Sequence, residues 1–107
     1  MTDFKDRERA EEANFARQEE NQFRIQARRN RLLGQWAAER MGLSAVEAES
    51  YAKSVVQADF EEAGDEDVIR KLLGDLTAAG VETSEGEVRT AMDARMVEAR
   101  RQLMGEG

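Results

Sequence analysis

Arg24, Arg28, Arg29, Arg31 and Arg40 fall within residues 23–40, against a single acid, Glu39. Guanidinium groups grip phosphates and carboxylates through paired N–H donors. Such a cluster therefore suggests either an anion site or a set of ion pairs on a helical surface. Ion pairing fits better. The net charge of -7 opposes a polyanion, and no aromatic-rich recognition motif accompanies the arginines, so no nucleic-acid partner is expected. A nucleotide phosphate is a smaller anion, and Arg24, Arg28 and Arg31 could contact one. The chain has no G-x-x-x-x-G-K-[ST] loop, so that site would be weak or unconventional.

Other catalytic or ligating chemistry is sparse. The chain contains no histidine and no cysteine. The commonest general base, the commonest metal ligand and the thiolate nucleophile are all missing. An enzyme is not expected, nor is a cofactor. The acidic run FEEAGDEDV hints at calcium, but counting from Asp59 or Asp65 does not supply the oxygen ligands of an EF-hand loop or its twelfth-position Glu. Helix capping explains the run, and no metal is expected. Trp36 and Tyr51 sit at helical spacing and read as core rather than as walls of a ligand pocket.

The N-terminal segment fits a purely structural role least well. Residues 1–22, MTDFKDRERAEEANFARQEENQ, lack glycine and proline and are rich in Ala, Glu and Arg. Opposite charges stand three or four apart, as in Asp3/Arg7, Arg7/Glu11 and Glu20/Arg24. After Met1 the large apolar side chains are only Phe4 and Phe15, eleven residues apart and so nearly on one helical face. Two rings do not bury a helix of this length. The segment reads as helix-competent, mobile when alone and ordered when bound. Phenylalanine anchors on an otherwise polar helix suit a ligand that docks in a groove.

The elements that must carry these groups are helices. The chain has 107 residues, room for one domain with a modest core. Charged residues make up 36% and aromatics 6%, and proline is absent, which favours long helices with a solvated surface. Phe23, Ala27, Leu33 with Gly34, Ala37 and Met41 recur at helical spacing, with Ile25, Leu32 and Trp36 in a row beside them. A stripe this wide belongs to the central helix of a bundle. Gly42 is a natural stop for it. Ser44 and Glu47 form a capping box for a second helix, reaching about Ala63. Asp65 is expected to cap a third helix ending at Gly80. Ser84 and Glu87 open a fourth, lined by Val88, Ala91, Met92, Met96, Ala99 and Leu103.

The expected fold is therefore all-α: a four-helix bundle at 23–107 with a long first helix whose N-terminal half, at 1–22, projects from it. The expected core is Phe23, Leu33, Ala37, Val55, Val56, Phe60, Ile69, Leu72, Leu73, Leu76, Met92 and Met96. The arginines of the first helix are expected to pair with acids of residues 59–67. No apolar run approaches the roughly 18 residues of a membrane span. The start, MTDFKDRERAEE, is too charged for a signal peptide. A soluble cytoplasmic protein is expected, and from these features alone an interaction module.

Two blocks, ARRNRLLGQWAAERMG and YAKSVVQADFEEAGDEDVIRKL, resemble the zeta subunit family, inhibitors of the F-type ATP synthase of alphaproteobacteria. The likeness runs from about Thr2 to Asp75, and more loosely to the C-terminus. It implies a four-helix bundle whose N-terminal segment enters an interface between alpha and beta subunits of the catalytic head. There it would block rotation of the gamma subunit and suppress ATP hydrolysis. The opening FKDRERAEEANFA resembles the family's inhibitory region. By that resemblance Phe4, Arg7, Glu8, Arg9, Ala10, Glu12, Asn14, Phe15 and Ala16 contact the partner. Asn14 stands where the family pattern leads one to expect lysine, and Arg17 and Gln18 also depart from it. The protein would then lie at the inner membrane through the synthase, without inserting. The alternative is a helical scaffolding protein for another partner, with nucleotide as a regulatory ligand.

Overall fold

The computed structural model describes the backbone of residues 3–61 and 64–104 and the side chains of residues 19–60 and 64–104. Four helices follow one another: α1 Asp3–Arg40, α2 Ala45–Glu61, α3 Asp65–Ala78 and α4 Glu85–Leu103. No strand occurs among the described residues. The fold is all-α, as the periodicity predicts.

Glycine ends α1 and α3 in the same way. Gly42 has φ 71° and Gly80 has φ 79°, a region that side chains with a Cβ seldom enter. Gly42 N–H donates to Glu39 O at 3.1 Å and Leu43 N–H to Ala38 O at 3.0 Å. Gly80 N–H and Val81 N–H repeat the pattern onto Thr77 O and Leu76 O. These paired bonds satisfy carbonyls that the helix end leaves without partners. At the start of α2 the capping box is complete. Glu47 N–H donates to Ser44 Oγ at 3.2 Å, and Ser44 N–H donates to Glu47 Oε1 at 2.9 Å. The Ser44 backbone donor, then its hydroxyl, holds the Glu47 carboxyl below its ordinary value.

Two expected caps differ. At Ser84 only half of the box forms: Glu87 N–H donates to Ser84 Oγ, while the Glu87 carboxylate turns to Arg40 and Thr83. Asp65 does not cap α3. The N-cap is Gly64, with φ 110° and no side-chain cap bond. Asp65 is drawn instead to Arg29 of α1, 2.9 Å away.

α2 and α4 both run antiparallel to α1. Gln26 of α1 reaches Asp59 near the end of α2, and Arg31 reaches Glu49 nearer its start, so these helices are antiparallel. Arg28 meets Gln102 and Arg40 meets Glu87, so α4 is antiparallel to α1 as well. α1 packs most extensively on α2 and α4, and it also touches α3, whereas α2 and α4 are not neighbours among the described residues. α1 is thus the central helix. α3 closes the opposite side, joined to α4 by Arg89, which donates to both Glu66 oxygens at 2.8 and 2.9 Å. Those bonds raise the Arg89 pKa further. The Tyr51 hydroxyl donates to Asp75 at 2.7 Å across α2 and α3, and Lys71 joins the same carboxylate at 3.0 Å.

The core comprises Leu33, Ala37, Val55, Val68, Ile69, Leu72, Leu76, Val88, Ala91 and Met92. Trp36, Met41, Tyr51 and Leu73 pack against it without being fully enclosed. Two expected members are not core. Phe23 is 54% exposed and Phe60 58% exposed. Both sit where the bundle ends, so spacing placed them on the inner face but no helix covers them there. Val56, Leu73 and Met96 are half-buried for a different reason, each lying at the margin of its stripe rather than past its end. The close contact at the centre is Gly34 against Ala52: a Cβ on Gly34 would lie 2.7 Å from Ala52 Cα.

Two glycines in helix interiors should therefore respond oppositely to alanine. Gly34→Ala forces α1 and α2 apart and should cost about 1–3 kcal/mol. Gly74→Ala meets nothing within 4 Å. It should raise stability by about 0.5–1 kcal/mol through helix propensity alone. Urea unfolding of both variants measures the contrast.

Tyr51 is the only tyrosine, so phenolate absorbance reports it alone. Burial first, then the bond to Asp75, raises its pKa from the ordinary 10.0. The stability carried by the neutral phenol is complete below about 10 and is lost as pH rises toward the folded-state value. An alkaline titration should show no phenolate in the native protein around pH 10, where an unfolded chain is half ionised. Tyr51→Phe should flatten the loss of stability above that pH.

Candidate functional site

At 38 residues, α1 is roughly 57 Å long, taking 1.5 Å per residue. The other helices have 14 to 19 residues. The molecule measures 66 × 29 × 24 Å. α2 ends beside Phe23, and N-terminal to that point α1 runs on past the bundle. Phe4, Arg7, Glu8, Arg9, Ala10, Glu12, Asn14, Phe15 and Ala16 all belong to this projecting half. Their side chains, and the expectation that this segment is mobile, lie outside the described residues.

The base of the projection is polar inside and apolar outside. Arg29 is 2% exposed and Asn30 1% exposed, the only buried polar residues among those described. Arg29 Nε and Nη2 donate to Asn30 Oδ1 at 3.1 and 2.9 Å, and Nη2 also meets Asp65. Asn30 Nδ2 donates to Asp59 Oδ2 at 2.8 Å, and Gln26 Nε2 donates to the same oxygen at 3.0 Å. A chain of hydrogen bonds thus ties α1 to the end of α2 and the start of α3. Asp59 Oδ1 is buried and has no partner among the described residues. Over this network the Phe23 and Phe60 rings meet edge to face, centroids 5.1 Å apart. With Gln26, Ala27, Asn30, Val56 and Asp59 they line a cleft of about 250 Å³.

Among the described residues, the expected pairing of α1 arginines with the 59–67 run is found for Arg29, on Asp65. Arg24 meets Glu20 at 3.4 Å, Arg31 meets Glu49 at 3.0 Å and Arg40 meets Glu87 at 3.1 Å. Arg40 also lies over the Trp36 ring, 5.2 Å from its centre. Arg28 donates to the neutral Gln102 at 2.8 Å. Arg24, Arg28 and Arg31 share one shallow groove with Phe23, Ala27, Val56 and Leu103. Block charges predicted attraction correctly but not its address, because each guanidinium reaches only the helix its own face presents. The described residues do not gather three potential metal ligands. The described acids of the run, Asp59, Asp65, Glu66 and Asp67, turn to separate partners: Gln26 and Asn30, Arg29, Arg89, and Arg70.

Sequence reasoning did not single out Gln26 and Asn30, and it looked to arginines rather than amides as partners of Asp59. A signal was present: Gln26 and Asn30 stand four apart and lead directly into Leu33 and Ala37 on the same face. Polar residues in line with a core stripe require buried partners.

The family model for ATPase inhibitor subunit zeta matches residues 1–102. The chain belongs to the zeta family of ATPase inhibitor subunits. The match takes in the projecting half of α1 as well as the bundle. It makes the chain regulatory in kind rather than catalytic. A solved solution NMR structure is 52% identical to this chain, with a TM-score of 0.70, over 80% of this chain and 98% of that one. No match is found among curated proteins. No helix among the described residues is long and apolar enough to cross a membrane.

Arg29 and Arg31 separate a buried from an exposed ion pair in this zeta-family bundle. Arg29→Ala strands Asn30 Oδ1 and removes the tie to Asp65, and should cost about 2–4 kcal/mol, since Asp65 is itself half exposed. Arg31→Ala should cost less than about 1 kcal/mol, and less still at high salt. Urea denaturation at low and high salt checks both.

Proposed function

We propose that this protein inhibits the F-type ATP synthase by inserting the projecting half of α1 at an interface between alpha and beta subunits of the catalytic head. The inserted helix obstructs rotation of gamma and so suppresses ATP hydrolysis. Residues 1–22 act as the inhibitory segment and residues 23–107 as the bundle that carries it. Phe4 and Phe15 anchor the segment in apolar grooves. Arg7, Glu8, Arg9, Ala10, Glu12, Asn14 and Ala16 surround them at the contact. The protein is held at the membrane only through the synthase.

The observation that carries this reading is that α1 continues as one helix well beyond the elements that bury it. A bundle does not need that extension. Family membership over residues 1–102 supports the same partner. A nucleotide phosphate at Arg24, Arg28 and Arg31 is the second reading. It has one feature in its favour: the three guanidinium groups line one groove, and among the described residues Arg28 there meets the neutral Gln102 and no acid. Shifts in their side-chain signals on adding ATP would support it.

Deleting residues 1–19 should leave a folded bundle that no longer inhibits. Each ring, once docked, contributes about 1.5–3 kcal/mol through burial, less the cost of fixing the segment in place. Phe4→Ala and Phe15→Ala should each reproduce part of the loss, and Asn14→Lys should strengthen inhibition. Hydrolysis by the cognate synthase and melting of the same variants decide it. A truncated protein that inhibits as well as the full chain would move the contact onto the bundle.

A further inference from the structure

Asp59 is in an unusual position for a carboxylate. It is half-buried near the end of α2, and the donors it accepts from, Gln26 and Asn30, are neutral amides that share one oxygen. The other oxygen is buried without a partner among the described residues. Among the described residues no cation pairs with it; Arg29, the nearest in the network, is spent on Asn30 and Asp65. A charge withdrawn from water without a counter-charge is costly. An asparagine could accept the same two hydrogen bonds without that cost. The purely structural role therefore does not account for the acid.

Its surroundings suit a cation. Phe23 and Phe60 border the cleft of about 250 Å³ beside Asp59, and both rings are more than half exposed. Aromatic faces attract a guanidinium or ammonium group. The unpaired oxygen needs donors, and a basic side chain brings up to five. Asp59 Oδ1 is itself buried, so a ring must swing aside to admit the incoming group.

We propose that the Phe23–Asp59–Phe60 cleft is a second docking point, which takes an arginine or lysine side chain from the protein partner, with its charge on Asp59 and its stem against the rings. This rests on the reading above only for the partner's identity. The cleft lies at the base of the projecting helix, so a partner that grips the projection passes over it. The basic residue would fix how far the helix enters.

Two measurements on the full chain test this. First, Nα-acetyl-arginine amide is titrated while amide and ring signals are followed by NMR. Saturable shifts are expected at Phe23, Asp59 and Phe60, absent with Nα-acetyl-norleucine amide and absent in Asp59→Asn. A protein whose signals at these residues do not respond overturns the proposal. Second, affinity for the isolated synthase head is compared for the natural chain, Asp59→Asn and Phe60→Ala. Binding roughly tenfold weaker is expected for each, about the effect of losing one well-placed contact, with Asp59→Asn melting no lower than the natural chain. Unchanged affinity overturns the proposal and leaves the inhibitory role of the N-terminus standing. Lower melting of Asp59→Asn with unchanged affinity shows a structural acid and overturns it too. If the natural chain does not bind the head, the synthase is the wrong partner, and the arginine titration alone decides the cleft.

Discussion

The structure depends on how closely α1 can approach α2. Gly34 has no Cβ, and its place is taken by the Ala52 backbone. Leu33, Ala37, Ala38 and Ala52 are all fully enclosed around that contact. Small residues let the two backbones approach, and the approach sets the register of everything along the pair. From it follow Arg31 on Glu49, Asn30 and Gln26 on Asp59, and Phe23 on Phe60. A wider spacing would leave the amides short of Asp59 and open the polar end to water.

The two ends of the bundle are built differently. At the end where α1 stops, the turns are closed by backbone bonds around Gly42 and Gly80, and Arg40 stacks on Trp36 while meeting Glu87. At the other end the cohesion is polar. A buried guanidinium, two amides and two carboxylates join three helices where the apolar stripe runs out. Such a network stabilises only when every member is satisfied. Nearly all are here; the exception among the described residues, Asp59 Oδ1, is buried beside the cleft that Phe23 and Phe60 line.

This division matches a regulatory protein of the zeta family. On the function proposed above, the bundle must be stable alone and the projecting half of α1 must remain available. A helix that buries itself cannot also dock elsewhere. α1 meets both demands by changing composition along its length. Apolar and small residues pack its C-terminal half, and charged residues with two distant rings make up the N-terminal half.

Helix number, helix type and most boundaries could be read directly from the chain, because capping residues, glycine stops and a 3.6-residue apolar repeat are local signals. The coreless character of residues 1–22 was equally plain, since burial requires apolar side chains and only two large ones follow Met1 there. Where each stripe ceased to be covered could not be read. Phe23 and Phe60 carry the same spacing as Leu33 and Val55, yet they lie beyond the ends of the helices that would enclose them. Nor could the partner of each arginine, because charge attracts at a distance while pairing requires contact, and contact depends on helix register and rotation. Asp65 reads as a cap by its neighbours in sequence and becomes an ion-pair partner only because α1 brings Arg29 to it. The orphaned oxygen of Asp59 likewise arises only when α1 and α2 lie side by side, for burial and hydrogen-bond satisfaction belong to the packed chain and to no segment of it.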